Sequence, residues 1–504
     1  MKKPVLVLLA TLLLAAIASA QDDLPFFEEA DCPFDPPPGV TCGLLIVPEN
    51  HNNPNSLEIE LAVAIIEAES ATPAPEPVVY LEGGPGGSAL FAIGDYVEHP
   101  IRQTHDLILI DQRGTGFSFP SLNCFEVEEG DDYASDLAAC YARLLDEDVE
   151  LSAYTSAQNA ADINALRVAL GYEQVNLWGI SYGTRLGLTV LRDYPGTIRA
   201  AVLDSVFPPQ ETDLENGILH SLRAFDVLFE GCAADATCAS AYPTLEADFF
   251  EMVEQFNDEP MIFEYDDGFE LYDIELTGDM LLEAVFQAQY SSEVLPMLPF
   301  GIDLLAYAED DFDLQDGYDI LQGYYTPEIW NGIEPDMLGM DITESDNVLA
   351  YLDEFGDISD AEGLYTSMAC GEELQFNDLD RAYTLIEDAP EVLQPWLIGS
   401  IEGALLECET WSVSLADPIE NEPVQSETPT LLVSGYYDPI TPPSSAEDAL
   451  QTLPNGQHVV FTAGAHGETG SIGCGAELAA AFFVDPAGPL PTDCAVSEVM
   501  WYTE

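Results

Sequence analysis

The stretch Val175–Thr184 reads VNLWGISYGT, and the fold of the chain follows from it. Val175–Trp178 is a short apolar run of the kind that forms a buried strand, whereas Tyr182–Tyr194 has the pattern of a helix. Between the two lies a Gly-x-Ser-x-Gly pattern around Ser181. A tight turn from strand to helix holds such a serine in a strained conformation at a helix N-terminus, where developing negative charge is stabilised. This context predicts a nucleophilic serine rather than a buried serine in a glycine-rich turn.

Further apolar runs bounded by turn residues lie on both sides of this stretch, and they predict more buried strands. They are Leu44–Val47, Leu57–Ile66, Val78–Leu81, Leu107–Ile110, Ala200–Leu203, Leu431–Val433 and His458–Phe461. A helical pattern over Thr155–Leu170 lies between two of them. Strands that alternate with helices predict the α/β class, with a mostly parallel central sheet and helices on both faces.

The composition and periodicity of the sequence change between Phe207 and about residue 425. This segment is acidic, has helical periodicity and contains few strand-like runs. Because strand-like runs resume after it, we interpret residues 207–425 as a large, mainly helical cap inserted into one α/β domain. That domain would comprise residues 21–206 and 426–504. The alternative is an independent downstream domain, which would leave the later strands without the earlier sheet.

The composition restricts the class of partner. The chain has 504 residues, with 93 Asp and Glu against 11 Lys and Arg, and its formal net charge is −82. Hydrophobic residues make up 47%, which argues against an intrinsically disordered chain. No basic surface is available for nucleic acid, and anionic membranes would repel the protein. A saline habitat that screens the self-repulsion and a lineage with generally acidic proteins both account for the charge.

The first twenty residues have the pattern of a secretory signal peptide. Lys2 and Lys3 precede an apolar stretch, Val5–Ala18, and Ala18-Ser19-Ala20 resembles a small-residue cleavage site. No later apolar run is long enough to cross a bilayer, so no membrane span is predicted. We therefore expect an exported protein, either periplasmic or extracellular.

The ten cysteines are typical of an oxidising compartment. The sequence has no Cys-x-x-Cys motif and its six histidines are dispersed, so no metal site is predicted. Spacing suggests local disulfides, although spacing alone leaves other pairings open. The suggested pairs are Cys32–Cys42, Cys124–Cys140, Cys232–Cys238, Cys370–Cys408 and Cys474–Cys494.

A nucleophilic serine needs a base, and an acid that orients the base. His466 lies in a loop directly after the strand-like run that contains His458, and the carboxyl end of a strand is the place for a catalytic base. His458 itself is predicted to be structural, and His220 lies at the start of the cap. Asp438 follows the preceding strand-like run. The chain order Ser181, Asp438, His466 predicts a catalytic triad.

The donors of an oxyanion hole are predicted from a second loop. Val78–Leu81 leads into the glycine-rich segment Gly83–Gly87, whose backbone N–H groups can point at developing negative charge. The other donor expected is the N–H group of the residue that follows the nucleophile. We therefore predict an oxyanion hole formed by the backbone of Gly84 and Tyr182.

Five motifs in one order resemble those of the secreted tripeptidyl aminopeptidase and prolyl aminopeptidase group of α/β-hydrolase serine peptidases, including its TAP-like C-terminal region. They are Gly83-Gly84-Pro85-Gly86-Gly87, Asp111-Gln112-Arg113-Gly114, Gly179-Ile180-Ser181-Tyr182-Gly183, Ser434-Gly435-x-x-Asp438-Pro439 and Gly464-Ala465-His466-Gly467. The resemblance implies an α/β-hydrolase fold and a serine exopeptidase that removes short units from peptides with a free N-terminus. This chemistry needs no cofactor. Many relatives have His before the glycine-rich loop, where this chain has Glu82.

The resemblance also implies that the cap recognises the amine of the substrate. An α-ammonium group that leaves water must be paired with a negative charge or an acceptor. Glu372, Glu373 and Glu409 lie beside cysteines that would fix their positions. We expect these acids to bind the amine, although ordinary solvated surface acids show the same pattern.

Two other functions are compatible with the sequence. A carboxyl-ester hydrolase, or esterase, would use the same triad, because both reactions are acyl transfers. A non-catalytic binding protein on the same scaffold would not need an intact serine, acid and base. The sequence leaves open the oligomeric state, and whether one, two or three residues are released from the substrate.

Overall fold

The computed structural model describes residues 24–129, 132–266, 271–308, 311–323 and 358–503. The predicted signal peptide, residues 1–20, lies outside the described residues. The described part contains a nine-stranded sheet, a two-stranded hairpin and helices. The strands are β1 (Phe26–Ala30), β2 (Val40–Pro48), β3 (Glu58–Ile66), β4 (Val78–Leu81), β5 (Leu107–Ile110), β6 (Val175–Ile180), β7 (Ile198–Asp204), β8 (Met261–Asp266), β9 (Leu271–Leu276), β10 (Thr430–Gly435) and β11 (Gly456–Phe461).

The large sheet has the strand order β1-β2-β3-β5-β4-β6-β7-β10-β11. The run from β5 to β11 in that order is parallel, and β1, β2 and β3 join it through antiparallel pairs. Strands β4 and β5 are apolar and buried at every position, as expected of strands covered on both faces. The predicted α/β class with a mostly parallel sheet is confirmed.

Helices cover both faces of this sheet, and further helices lie in the inserted segment. The helices of the described residues are α1 (Ile93–Tyr96), α2 (Phe125–Glu129), α3 (Tyr133–Asp146), α4 (Ser156–Ala169), α5 (Tyr182–Asp193), α6 (Asp213–Ala234), α7 (Ala236–Ala241), α8 (Leu245–Asp258), α9 (Gly278–Ala288), α10 (Leu298–Ala306), α11 (Asp311–Leu321), α12 (Glu362–Met368), α13 (Leu379–Asp388), α14 (Gln394–Thr410), α15 (Pro443–Leu450) and α16 (Cys474–Val484). Val79 and Leu81 of β4 face the apolar cluster under α3, α4 and α5, and Val78 and Tyr80 face the cluster under α16. Within the described ranges, no helix is long and apolar enough to cross a membrane.

The segment predicted as a cap leaves the sheet and returns to the neighbouring strand. Ala201 of β7 pairs with Thr430 of β10, so the chain between β7 and β10 is inserted between adjacent strands. It carries α6 to α14 and the hairpin β8–β9, and its own apolar cluster includes Phe225, Phe249 and Val285. This helical segment therefore has a core of its own beside the sheet.

The five disulfides suggested by cysteine spacing are all present. Their sulfur pairs are Cys32–Cys42, Cys124–Cys140, Cys232–Cys238, Cys370–Cys408 and Cys474–Cys494. Each pair joins residues that are close in the chain, with separations from 6 to 38 residues. The Cys370–Cys408 bond links α14 to the segment that follows α12, and so fixes two parts of the cap to each other.

The sequence analysis missed β1 and the hairpin β8–β9. Strand β1 reads FFEEA and pairs only with β2 at the edge of the sheet, where its acids are exposed. Strand β9 reads LYDIEL and is exposed at most positions. Both therefore lack the continuous apolar run that predicts a strand buried on two faces.

A buried ion pair braces the loop after β5. Arg113 donates from Nε and Nη2 to the two carboxylate oxygens of Asp162, each at 2.8 Å, and from Nη1 to the carbonyl oxygen of Ala153. Neither charged side chain of the pair is more than 2% exposed. The arginine thus ties the loop after β5 to α4, and the motif that contains it has a structural role.

We expect Arg113→Met to lower the free energy of unfolding by about 3–5 kcal/mol, because it leaves the Asp162 carboxylate buried without its main partner. Urea unfolding followed by circular dichroism measures the change. Arg102 is the control, since it donates only to the carbonyl oxygen of Glu67 near the surface. Arg102→Met should cost less than about 1 kcal/mol. Equal losses in the two variants would contradict a bracing role for Arg113.

Candidate active site

Ser181 lies at the turn between β6 and α5 in a strained conformation. Its φ is +56°, in a region that residues other than glycine rarely adopt. Its N–H group donates to the carbonyl oxygen of Asp204 at the end of β7, 3.0 Å away. A Cβ at Gly183 would lie 2.0 Å from the carbonyl oxygen of Leu81, and one at Gly179 would lie 2.4 Å from that of Gly183. The two glycines therefore let the turn form against β4.

Asp438 and His466 meet at the carboxyl ends of β10 and β11. The Nδ1 atom of His466 lies 2.9 Å from Oδ2 of Asp438, and this carboxylate also accepts from the hydroxyl of Thr441 at 2.8 Å. The other carboxylate oxygen accepts the N–H groups of Ile440 and Thr441. With Nδ1–H bonded to the acid, Nε2 of His466 is the atom that can accept a proton.

The electrostatics of this pair suit a base held by an acid. Burial opposes ionisation of Asp438, but His466 and the donors of Thr441 outweigh it and hold the carboxyl pKa below its usual value. Burial also lowers the pKa of His466, but the carboxylates of Asp438 and Asp204 outweigh it and raise the net pKa. The pair therefore favours the ionised form of Asp438 and stabilises the protonated form of His466.

One cavity of about 460 Å³ brings the predicted site residues together. Ser181 and His466 line it, as do the two residues predicted for the oxyanion hole, Gly84 and Tyr182. Its wall also contains the aromatic and aliphatic side chains of Phe207, Tyr290, Tyr365, Met368 and Ile440. Of the three acids predicted for amine binding, only Glu373 is in the wall.

The loop predicted to supply one oxyanion donor lies against Ser181. A Cβ added at Gly83 would be 3.2 Å from the Cβ of Ser181, so this loop packs directly against that residue. The N–H group of Gly83 donates to Oε1 of Glu82 and is therefore already bonded. The N–H group of Tyr182 is the first of α5 and has no partner within the helix.

Glu82, where the family resemblance leads one to expect a histidine, holds the loop with its carboxyl group. Its Oε1 accepts from the N–H group of Gly83 at 2.8 Å and from the hydroxyl of Tyr80 at 3.1 Å. Its Oε2 lies 3.4 Å from the hydroxyl of Tyr96. Burial raises the pKa of Glu82, while these donors oppose the shift. The carboxyl group thus fixes the start of the oxyanion loop.

Three acids surround one buried arginine at the cavity wall. Nη2 of Arg185 lies 2.6 Å from Oε1 of Glu373, and Nε lies 4.0 Å from Oε2 of Glu372. Asp213 is the first residue of α6 and lines the cavity. Burial raises the pKa of Asp213, and the charge of Arg185 opposes this rise. Burial raises the pKa of Glu373 to about 8. Burial raises the pKa of all three carboxyl groups, so a cation bound in the cavity would favour their ionised forms.

The structure separates the three acids that the sequence grouped together. Glu372 is buried behind the wall, and its carboxylate accepts from the N–H and the hydroxyl of Ser156, both at 2.6 Å. Glu409 is exposed on α14 and does not line the cavity. The sequence reasoning missed Asp213 and Glu211, which do line it. Nothing in the local sequence distinguishes them from other acids of the cap.

The two other histidines that follow Ser181 in the chain have other contacts. Nε2 of His458 lies 3.1 Å from the hydroxyl of Ser434, between two neighbouring strands. Nδ1 of His220 lies 2.7 Å from the carbonyl oxygen of Ile440, at the edge of the cavity. Neither contacts Asp438 through its ring, so the geometry distinguishes His466 from both.

Asp204, which the sequence analysis did not identify, connects the nucleophile to the loop of the base. Its carbonyl oxygen holds the N–H group of Ser181, and its Oδ2 accepts from Thr469 through N–H at 2.5 Å and hydroxyl at 2.7 Å. The neighbouring Ser205 accepts the N–H group of Gly467 at 2.9 Å. Two donors on one oxygen favour an ionised carboxylate, although burial raises its pKa.

The cap also contacts the loop of the base. The N–H group of His466 donates to the carbonyl oxygen of Tyr290, 3.2 Å away, and the two rings lie with centroids 4.9 Å apart. The hydroxyl of Ser292 accepts the N–H group of Ala465 and donates to Glu468. The segment after α9 therefore helps to position the base.

Comparison with known proteins agrees with this geometry. Residues 76–241 match the family model of the alpha/beta hydrolase fold, and residues 399–494 match that of TAP-like protein. The serine protease Hip1 of Mycobacterium tuberculosis is 24% identical over 464 residues, which cover 85% of this chain and 83% of Hip1.

Two shorter matches lie in the same group. The tripeptidyl aminopeptidase of Streptomyces coelicolor is 30% identical over 39% of this chain and 40% of its own. A probable proline iminopeptidase of the same species is 32% identical over 27% of this chain and 34% of its own. The predicted resemblance to this group of α/β hydrolases is confirmed.

We expect Asp204→Asn to move the acidic limb of the kcat/KM profile to lower pH. The variant removes a negative charge that raises the pKa of His466, and the base must be neutral to accept a proton. The measurement is kcat/KM against pH for the best amide substrate. Thr469→Val is the control, because it removes a hydrogen bond to Asp204 but no charge. An acidic limb that stays in place in Asp204→Asn would show that its carboxyl group carries no charge near the base.

Proposed function

We propose that this α/β hydrolase is an exported serine exopeptidase that hydrolyses peptides from a free N-terminus, of the tripeptidyl or prolyl type. The observation that carries the proposal is one cavity in which Ser181 and His466 share a wall with four carboxyl groups. These belong to Glu82, Glu211, Asp213 and Glu373. Among the described residues of this wall there is no Lys or Arg. The serine protease and aminopeptidase relatives support the same reaction class.

The proposed reaction is acyl transfer through a covalent intermediate. Nε2 of His466 takes the proton of Ser181 as Oγ attacks the scissile carbonyl, and Asp438 holds the imidazolium that forms. The N–H groups of Gly84 and Tyr182 stabilise the tetrahedral oxyanion. His466 then returns the proton to the leaving amine, and a water molecule activated by the same base releases the acyl group. No cofactor takes part in these steps.

The free N-terminus is proposed to bind at the acids beside Arg185. An α-ammonium group loses its water when it enters the cavity, and a carboxylate must replace that water. Asp213 and Glu373 line the cavity, and burial raises the pKa of both, so an ammonium group bound there would favour their ionised forms. A bound ammonium fixes the chain end at a set distance from Ser181, so cleavage occurs near the N-terminus and not within a long chain. The length of the released unit then follows from that distance.

Export is proposed from the disulfides. Five disulfides join all ten cysteines, which is typical of an oxidising compartment such as the periplasm or the medium. The predicted signal peptide supports the same location. Peptides that reach this compartment are the substrates expected for the enzyme.

An esterase with the same triad is the alternative function. Both reactions pass through the same acyl intermediate, so the triad cannot discriminate between them. The carboxyl groups in the cavity favour the peptidase, because a simple ester has no ammonium to pair with them. A requirement for a free amine is therefore the deciding property.

We expect peptide amides with a free N-terminus to be cleaved and their N-acetylated counterparts to be inert. The panel would contain X-, Pro-, X-Pro- and Ala-Ala-X-aminocoumarin amides together with simple esters, assayed by fluorescence. Ser181→Ala should lower turnover roughly 10⁴-fold or more while the circular dichroism spectrum stays unchanged. Cleavage of acetylated and free substrates at equal rates would replace the peptidase by the esterase.

We expect Asp213→Asn to lower kcat/KM for free-amine amides by at least about tenfold, since the variant removes a negative charge that would pair with the ammonium. Hydrolysis of a small activated ester, which has no amine, reports on the triad alone and should change much less. Glu409→Gln is the matched control, because this acid of the cap is exposed outside the cavity. A parallel loss on the amide and the ester would place Asp213 in the scaffold and not in amine binding.

A further inference from the structure

A second chamber lies in the cap beside the catalytic cavity. Its volume is about 590 Å³, and its walls come from α9, from the segment after α9 and from the end of α11. Gln287 and Tyr290 line both this chamber and the catalytic cavity. The two spaces are therefore neighbours that share these two residues.

This boundary is next to His466, which is proposed to protonate the leaving amine. The ring of Tyr290 lies 4.9 Å from the ring of His466, centroid to centroid, and the carbonyl oxygen of Tyr290 accepts the N–H group of His466. The acids proposed for the amine, Asp213 and Glu373, line the first cavity and do not line the second. The second chamber thus shares with the catalytic cavity a residue that contacts His466, and the acids proposed to bind the amine do not line it.

The reaction determines where the two halves of a substrate lie: the acyl half at Ser181 and the leaving half at His466. The acyl half stays on Ser181 with its ammonium at the acids, whereas the leaving nitrogen must receive its proton from Nε2 of His466. The peptide that follows that nitrogen therefore extends from the position of the base. Next to the base it meets Tyr290 and Gln287, the residues shared with the second chamber.

We propose that the second chamber is the subsite for the leaving part of the substrate, the polypeptide downstream of the cleaved bond. This inference rests on the proposed exopeptidase function. The proposed ligand of the chamber is the main chain and side chains of a longer peptide, and not a small molecule or a second protein. The enzyme would then act on extended peptides better than on minimal amides that carry the same N-terminal unit.

The walls of the chamber suit an extended peptide. Glu283 accepts from Nε2 of Gln287 at 2.7 Å and from Nε1 of Trp396 at 2.9 Å. Because a carboxylate can only accept, the amide nitrogen of Gln287 must face Glu283, and its Oε1 is left as an acceptor for a peptide N–H group. Met280 and Val294 supply apolar surface for side chains. Polar main-chain contacts combined with apolar side-chain contacts are typical of peptide subsites.

The test compares two substrates with the same N-terminal unit. One is an aminocoumarin amide, and the other is an internally quenched peptide that extends several residues beyond the cleaved bond. Met280 is exposed and lines only the second chamber, so Met280→Trp partly fills it. Ile262→Trp is the matched control, because Ile262 is exposed on β8 and lines neither cavity.

We expect the wild-type protein to prefer the extended peptide, and we expect Met280→Trp to lower the ratio of kcat/KM for peptide over amide by at least about fivefold. Ile262→Trp should keep the wild-type ratio. Gln322→Trp fills the chamber from the end of α11 and should repeat the effect if Met280→Trp does not fold.

The failures of the two proposals are distinguishable. If the aminocoumarin amide is cleaved but the ratio is the same in wild type, Met280→Trp and Gln322→Trp, the subsite is overturned and the exopeptidase function stands. A ratio near one in the wild-type protein overturns the subsite as well. If no free-amine substrate of either kind is cleaved, both proposals fail together.

Discussion

The strained backbone of Ser181 is the constraint on which the rest of the site depends. A φ of +56° persists only where the surroundings impose it, and here they do so through the close approach of Gly183 to β4 and through the hydrogen bond to Asp204. Asp204 in turn holds the loop that carries His466 by way of Thr469. The proposed nucleophile and base therefore share one anchor at the end of β7, and neither can shift without the other.

Two of the few basic side chains are buried at structural points. The chain has 93 acids and only 11 basic residues, yet Arg113 and Arg185 are both buried against carboxylates. Arg113 pairs with Asp162 through two hydrogen bonds. Arg185 is the one cation near three acids, Glu372, Glu373 and Asp213, whose pKa values are raised by burial. The proposed ammonium would favour the ionised forms of these acids.

The sequence predicted the central fold and the order of the proposed triad because both follow from local patterns. Strands buried on both faces are continuous apolar runs, and Ser181, Asp438 and His466 each follow one of them. Arg185 and Asp213 could not be predicted, because their meeting depends on how the cap folds back on α5. Glu372 and Glu373 are adjacent, but only the second lines the cavity, and helix rotation settles such a difference.

The cap does more than cover the cavity, because it is hydrogen-bonded to the loop of the base. Tyr290 accepts the N–H group of His466, and Ser292 accepts that of Ala465. Displacing the segment after α9 would break both bonds and loosen the imidazole from its acid. The acids at the start of α6 and the support of His466 thus belong to one cap. The proposed recognition of the chain end and the positioning of His466 would then depend on the same inserted segment.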